Sequence, residues 1–111
     1  MSTLNKMQFK FTLMVADLIK FAYDNGYTLT FGEAYRTPEQ AQINADKGIG
    51  IKNSLHTQRL AVDFNLFKDG NFLTSSQDHL PLGTYWESLG GSWGGRFKDG
   101  NHYSLSFKGL K

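Results

Sequence analysis

The chain contains no cysteine, so neither a disulfide nor a zinc–thiolate centre can hold it together, and any metal chemistry must use nitrogen and oxygen ligands. No apolar run approaches the roughly 18 residues of a membrane span, and residues 1–10 lack the charged-then-apolar pattern of a signal peptide. The expectation is a protein made in the cytoplasm and not inserted in a membrane. Charge of one sign is also scarce: a net charge of +2 supplies no phosphate-binding surface and argues against a nucleic-acid partner. What remains is 111 residues with 40% hydrophobic and 14% aromatic side chains, enough for one domain folded on its own core. Only three histidines are present, which makes the fate of each one traceable.

The order of elements follows from periodicity. Leu4, Met7, Phe11, Met14, Val15, Leu18, Ile19 and Ala22 recur at spacings of three and four, one helical stripe capped by Ser2 or Thr3 and stopped by Asn25-Gly26. Tyr27, Leu29 and Phe31 then alternate with polar residues as a half-buried strand. Thr37-Pro38-Glu39-Gln40 is a helix start, with Thr37 as N-cap, Pro38 at the first position and Gln40 closing a capping box; the helix ends near Lys47-Gly48. Residues 48–54 have no periodicity and are expected as a loop. Leu60 to Phe67 is a second strand, turned by Lys68-Asp69-Gly70-Asn71 onto a short partner at Phe72-Leu73. A third helix is expected between Asp78 and Leu89, broken near Pro81 and stopped by Gly90-Gly91, and His102 to Phe107 closes the chain as a third main strand. This order predicts a single α+β domain over residues 1–111, a small antiparallel sheet packed with about three helices.

Strand parity separates wet from dry faces. Leu60, Val62, Phe64 and Leu66 share one face of the second strand and Ala61, Asp63 and Asn65 the other; in the last strand Tyr103, Leu105 and Phe107 oppose His102, Ser104 and Ser106. If the strands are neighbours, Asp63 and His102 stand on a common polar floor, and His56 enters from the loop before it. Two imidazoles and a carboxylate suit zinc, with a fourth position left for water, the open geometry of a catalytic site. Asp99, three residues before His102, lies near such a site without being needed as a ligand, where a proton acceptor belongs. A His–Asp spacing of seven is not specific by itself, and isolated histidines are commonly structural. The joint parity of two strands and the small Ala61 beside Asp63 count towards a metal site, and the residues alone leave both readings open.

Four ordered motifs carry a resemblance. Gly32-Glu33-Ala34-Tyr35-Arg36-Thr37-Pro38-Glu39-Gln40, then Ser54-Leu55-His56 through Ala61-Val62-Asp63, then Tyr85-Trp86-Glu87-Ser88-Leu89-Gly90 with Trp93-Gly94-Gly95, and finally Asp99-x-x-His102 occur in sequence. Together they resemble the zinc peptidase family that unites D-alanyl-D-alanine carboxypeptidases with phage L-alanyl-D-glutamate endopeptidases, over about Phe11 to Phe107. The resemblance implies His56, Asp63 and His102 as ligands of one Zn2+, Asp99 as catalytic acid/base acting on a zinc-activated water, and Arg36 as the residue holding substrate and the developing oxyanion. It puts Ser54 where it can orient the loop or the substrate. Trp93 is a further candidate for the substrate groove, because Gly94-Gly95 permits close approach; Trp86 is read as core. Many members have glycine three residues after the first zinc histidine, where this chain has Arg59, and an acidic or amide residue two after the last, where it has Ser104.

The function implied is a peptidase of peptidoglycan stem peptides, first an L-alanyl-D-glutamate endopeptidase acting as a monomeric phage or prophage endolysin, made in the host cytoplasm and reaching the wall after the membrane is permeabilised. The alternatives are a D-alanyl-D-alanine carboxypeptidase or dipeptidase, and a non-catalytic zinc-stabilised binding or phage structural module. Glu33 is either a partner to a ligating histidine or Arg36, or an exposed strand-end carboxylate. His79 has no counterpart in the family and is expected to be solvated, and Asp69 and Asp78 are read as turn and cap residues.

Overall fold

The computed structural model describes residues 1–49 and 54–111, so most of the loop expected between Gly48 and Ser54 lies outside the described residues. Helix α1 spans Thr3–Asp24 and begins where the Ser2 side chain accepts the Asn5 N–H. Its buried residues Phe11, Met14, Leu18 and Ala22 are the predicted stripe, and Gly26, at a φ of 87°, turns the chain out of it. Strand β1 covers Tyr27–Phe31. Helix α2, Pro38–Asp46, has the expected N-cap, the Thr37 side chain accepting the Gln40 N–H, but no capping box closes, because the Gln40 side chain donates forward to Asn44 Oδ1 instead. A 3₁₀ turn at Leu55–Gln58 leads into β2, Ala61–Lys68, which Asp69 and Gly70, both in left-handed conformations, turn onto β3, Asn71–Leu73.

The third helix differs in detail from expectation. Gln77–His79 is a 3₁₀ turn, and the regular helix α3 spans Leu80–Ser88 with Pro81 in its first turn. Pro81 does not break the helix, because the first-turn N–H groups have no intrahelical acceptor to lose. Two unforecast residues, Ser92–Trp93, form β4. The last strand is shorter than its alternation suggests: β5 is His102–Ser104, the Leu105 N–H still bonds the Leu60 carbonyl, and the chain then turns so that Phe107 bridges Leu110.

The sheet is antiparallel, in the order β1-β2-β5-β4, with β5 and β3 sharing the far edge of the long strand β2. Leu18, Leu60, Phe64, Leu66, Leu82, Trp86 and Tyr103 are fully buried between sheet and helices. Trp86 is central: its ring meets Phe11 and Tyr103 edge-on at 5.7 and 6.0 Å, and its indole N–H donates to the Ser104 carbonyl at 2.8 Å. His79 is not solvated. It is 3% exposed, and its Nδ1 lies 2.7 Å from the Tyr103 hydroxyl, because the 3₁₀ turn directs the ring inward beside α3. Among the described residues, no helix is long and apolar enough to cross a membrane.

Candidate metal centre and cleft

The register of β2 against β5 sets Asp63 directly opposite His102. Phe64 N–H bonds the Asn101 carbonyl and Leu105 N–H the Leu60 carbonyl, so Asp63 and His102 form a non-hydrogen-bonded pair, the kind in which cross-strand side chains approach most closely. His102 Nδ1 lies 3.1 Å from Asp63 Oδ1. His56 arrives from the 3₁₀ turn, whose first N–H groups are capped by Ser54 Oγ accepting the His56 N–H at 3.1 Å, and its Nε2 lies 3.4 Å from the same Asp63 oxygen. Two ligands held at about 2.0–2.1 Å on tetrahedral zinc stand about 3.3 Å apart. The spacing in this chain therefore already fits the ion, and one donor atom from each of the three residues falls within 4.8 Å of the others.

The segment after β1 fixes these ligands from behind. Gly32 N–H bonds the Asp63 carbonyl and Asp63 N–H bonds the Glu33 carbonyl, both at 2.8 Å. A Cβ on Gly32 would come within 3.2 Å of the Asp63 Cβ, which is why this close crossing carries glycine. The Ala34 carbonyl lies 2.8 Å from His56 Nδ1, so that nitrogen carries the proton and Nε2 is left free to ligate. The His56 carbonyl in turn accepts the Arg36 N–H at 3.2 Å.

Electrostatics follow the same contacts. Burial pushes the Asp63 carboxyl upward, but hydrogen bonds from His102 and His56 outweigh it and hold the group down to about 2. Burial lowers His56, yet its bonds to Asp63 and Ala34 prevail and leave it above the ordinary imidazole value. The carboxylate is thus ionised and presented to a cation at neutral pH.

These side chains open on a cleft of about 390 Å³ lined also by Arg36, Ser54, Gly94 and Asp99, together with the buried Leu55 and with Phe97, Leu110 and Lys111. Asp99 is exposed at the mouth, and its backbone is tied at both ends: its N–H bonds the Gly94 carbonyl at 2.9 Å and its carbonyl accepts the His102 N–H at 3.1 Å. The next residue, Gly100, is pinned by the Ser76 hydroxyl at 2.9 Å and by the Trp93 indole at 2.7 Å. Trp93 itself is 4% exposed and does not line the cleft. Gly83 and Gly95 lack the Cβ atoms that would collide with its ring, so the tryptophan is a core residue bracing the Asp99 turn rather than a wall of the groove.

Arg59 occupies a left-handed conformation, φ 58°, which explains why glycine suits this position elsewhere. Its guanidinium lies 3.9 Å over the Tyr35 ring and away from the cleft lining. Sequence reasoning passed over Ala34, Ser76, Phe97, Leu110 and Lys111. A backbone carbonyl leaves no residue-type signal, Phe97 is presented by the 3₁₀ turn Gly94–Phe97, and Leu110 and Lys111 follow the turn that folds residues 107–110 back on themselves.

A family model described as D-alanyl-D-alanine carboxypeptidase matches residues 48–105. Among solved structures, the Serratia marcescens L-Ala D-Glu endopeptidase ChiX is similar with a TM-score of 0.70 and 18% identity, over 88% of this chain and 79% of that one. A variant of the vancomycin resistance D,D-pentapeptidase VanY from a VanB-type cassette, in complex with Zn(II), is similar with a TM-score of 0.63 and 20% identity, over 86% of this chain and 70% of that one. No curated protein sequence matches the chain.

Proposed function

This chain belongs to the D-alanyl-D-alanine carboxypeptidase family, and on that premise we propose that it is a zinc-dependent peptidase of peptidoglycan stem peptides, with the L-alanyl-D-glutamate bond as its target. The observation that carries this reading is the convergence of His56, Asp63, His102, Arg36 and Asp99 on one cleft. Zinc, which the first three would hold, would supply a Lewis acid for the scissile carbonyl and lower the pKa of water to about 7. Asp99, at the mouth, takes the proton of the attacking water and returns it to the leaving amine. Arg36 pairs with the peptide's carboxylate and with the charge that develops on the carbonyl oxygen. Ser54 acts through the loop, since its hydroxyl caps the turn that carries His56. Arg36 and Lys111 on the same cleft suit an acidic peptide and favour the bond to D-glutamate.

The family description favours a second reading, removal of the terminal D-alanine, in which the same cations hold the terminal carboxylate. Digestion of purified stem pentapeptide by the zinc-loaded protein, with the new termini identified by mass, separates the two. A free D-glutamate amine is expected; release of D-alanine alone would leave the second reading, and no cleavage would refute both. Asp99→Ala should retain zinc and fold while losing about 10²–10⁴-fold in rate. An unchanged rate would remove Asp99 from the mechanism. We further assign the chain, as one catalytic domain, to an endolysin role, for which turbidity loss of permeabilised Gram-negative cells is the test.

A further inference from the structure

Glu33 reaches three members of the site at once. Its carbonyl accepts the Asp63 N–H, its carboxylate pairs with the Arg36 Nη2, and the same Oε1 lies 3.8 Å from His56 Nδ1. That last separation is too long for a hydrogen bond, and Nδ1 already faces the Ala34 carbonyl, so the hydrogen-bond partner of the carboxylate is Arg36 and not the ring. Arg36 is the residue that needs such a partner. Its side chain is only 15% exposed, and Arg36 Nε is the buried side-chain nitrogen left without a hydrogen bond among the described residues. A largely desolvated guanidinium with one Nη on a carboxylate is held in one orientation, and Arg36 lines the cleft with N–H donors beyond that pair.

We propose that Glu33 is a positioning residue which, by clamping Arg36 from behind the metal ligands, sets the guanidinium in the orientation that receives the substrate. The proposal rests on the reading of Arg36 as the substrate-holding cation. Physically, an arginine free to sample its rotamers must be ordered at the moment of binding, whereas one already clamped has lost that freedom on folding. The i,i+3 spacing of Glu33 and Arg36, across the turn that leaves β1, makes the clamp local. The Asp63 and Ala34 backbone contacts tie the same turn to the metal site.

A double-mutant cycle on the zinc-loaded protein tests this, with stem-peptide hydrolysis, zinc content and melting temperature measured for Glu33→Ala, Glu33→Gln, Glu33→Asp, Arg36→Ala and Glu33→Ala/Arg36→Ala. Glu33→Ala is expected to lower kcat/KM about tenfold, chiefly through KM, with one zinc per chain retained, and Glu33→Asp to recover part of the loss. The double variant should be within twofold of Arg36→Ala alone, because the clamp has nothing left to hold. Independent, multiplying losses, or a Glu33→Ala variant equal to the parent, would overturn the proposal while leaving Arg36 in its role. An unaffected Arg36→Ala variant would overturn the substrate-holding reading, and the clamp with it. Should Glu33→Ala fail to fold, the cycle is run with Glu33→Gln, which keeps the bulk and an acceptor but removes the charge; a loss with native Arg36 that shrinks to no more than twofold in the Arg36→Ala background supports the clamp, and no loss with native Arg36 or a full multiplied loss refutes it.

Discussion

Replacing Gly94 with alanine tests how closely the Asp99 turn must be held. A Cβ at Gly94 would fall well inside 3.0 Å of the Asp99 carbonyl oxygen and 2.8 Å from the His102 Cβ, both parts of the turn that joins Asp99, the proposed acid/base, to His102. Restoring ordinary contact at roughly 3.5 Å requires the Asp99 backbone to retreat by about 1 Å. Overpacking of this kind costs about 1–3 kcal/mol, which lowers the melting temperature of a domain this size by about 4–12 °C. A 1 Å displacement of a reacting group costs about 10²-fold in rate. The control is Gly90→Ala, where the left-handed φ of 96° imposes about 1–2 kcal/mol of strain, but no atom lies within 4 Å of the new Cβ. Melting temperature, kcat/KM on stem peptide and zinc affinity should be measured on both. Gly94→Ala is expected to lose rate and zinc affinity together, and Gly90→Ala to lose stability alone. A Gly94→Ala enzyme within threefold of the parent, or an equal rate loss in both variants, would refute the claim that this turn sets the geometry.

Other consequences are simpler to check. Chelation of the metal should abolish hydrolysis, and added zinc should restore it; His56→Ala and Asp63→Ala should bind zinc at least tenfold more weakly, read by competition with a chromogenic chelator. Burial lowers the His79 pKa below its ordinary 6.5 despite nearby Asp78, so the unfolded chain takes up this proton first. Stability is therefore intact above the unfolded value and is lost as pH falls below 6.5 toward the folded one; thermal melts from pH 8 to pH 5 should show a smaller decline for His79→Gln. Trp86→Phe removes the indole donor to the Ser104 carbonyl, which keeps its place in the ladder opposite Ser92, at a cost of about 0.5–1.5 kcal/mol in urea unfolding.

Much of the site could be read from residue order because its signals are local. The capped starts of α1 and α2, the stripe Phe11 to Ala22 and the alternation about Asp63 depend on periodicities of 3.6 and 2 that need no partner. Parity alone put Asp63 and His102 on polar faces, the loop before the strand delivered His56 to them, and motif resemblance implied the three as one ligand set. Less local features escaped: the length of β5, the strand at Ser92–Trp93 and the tolerance of Pro81 depend on which neighbour is present to accept a hydrogen bond or which N–H is already spare.

His79 and Trp93 show the limit most plainly. Each has a polar edge, and sequence position does not reveal whether water or protein meets it. The fold gives His79 the Tyr103 hydroxyl and Trp93 the Gly100 carbonyl, so a residue expected in solvent and one expected at the groove both lie in the core. The absence of cysteine had already confined any metal chemistry to nitrogen and oxygen ligands, and the sequence by itself singled out His56, Asp63 and His102 as the candidates. Only tertiary structure decided that Asp63 and His102 face each other across a non-hydrogen-bonded pair, that the Ala34 carbonyl selects the free nitrogen of His56, and that Glu33 stands behind Arg36. Those outcomes are set by strand register and by the path of backbone carbonyls, which every residue type possesses alike and which no composition or spacing can distinguish.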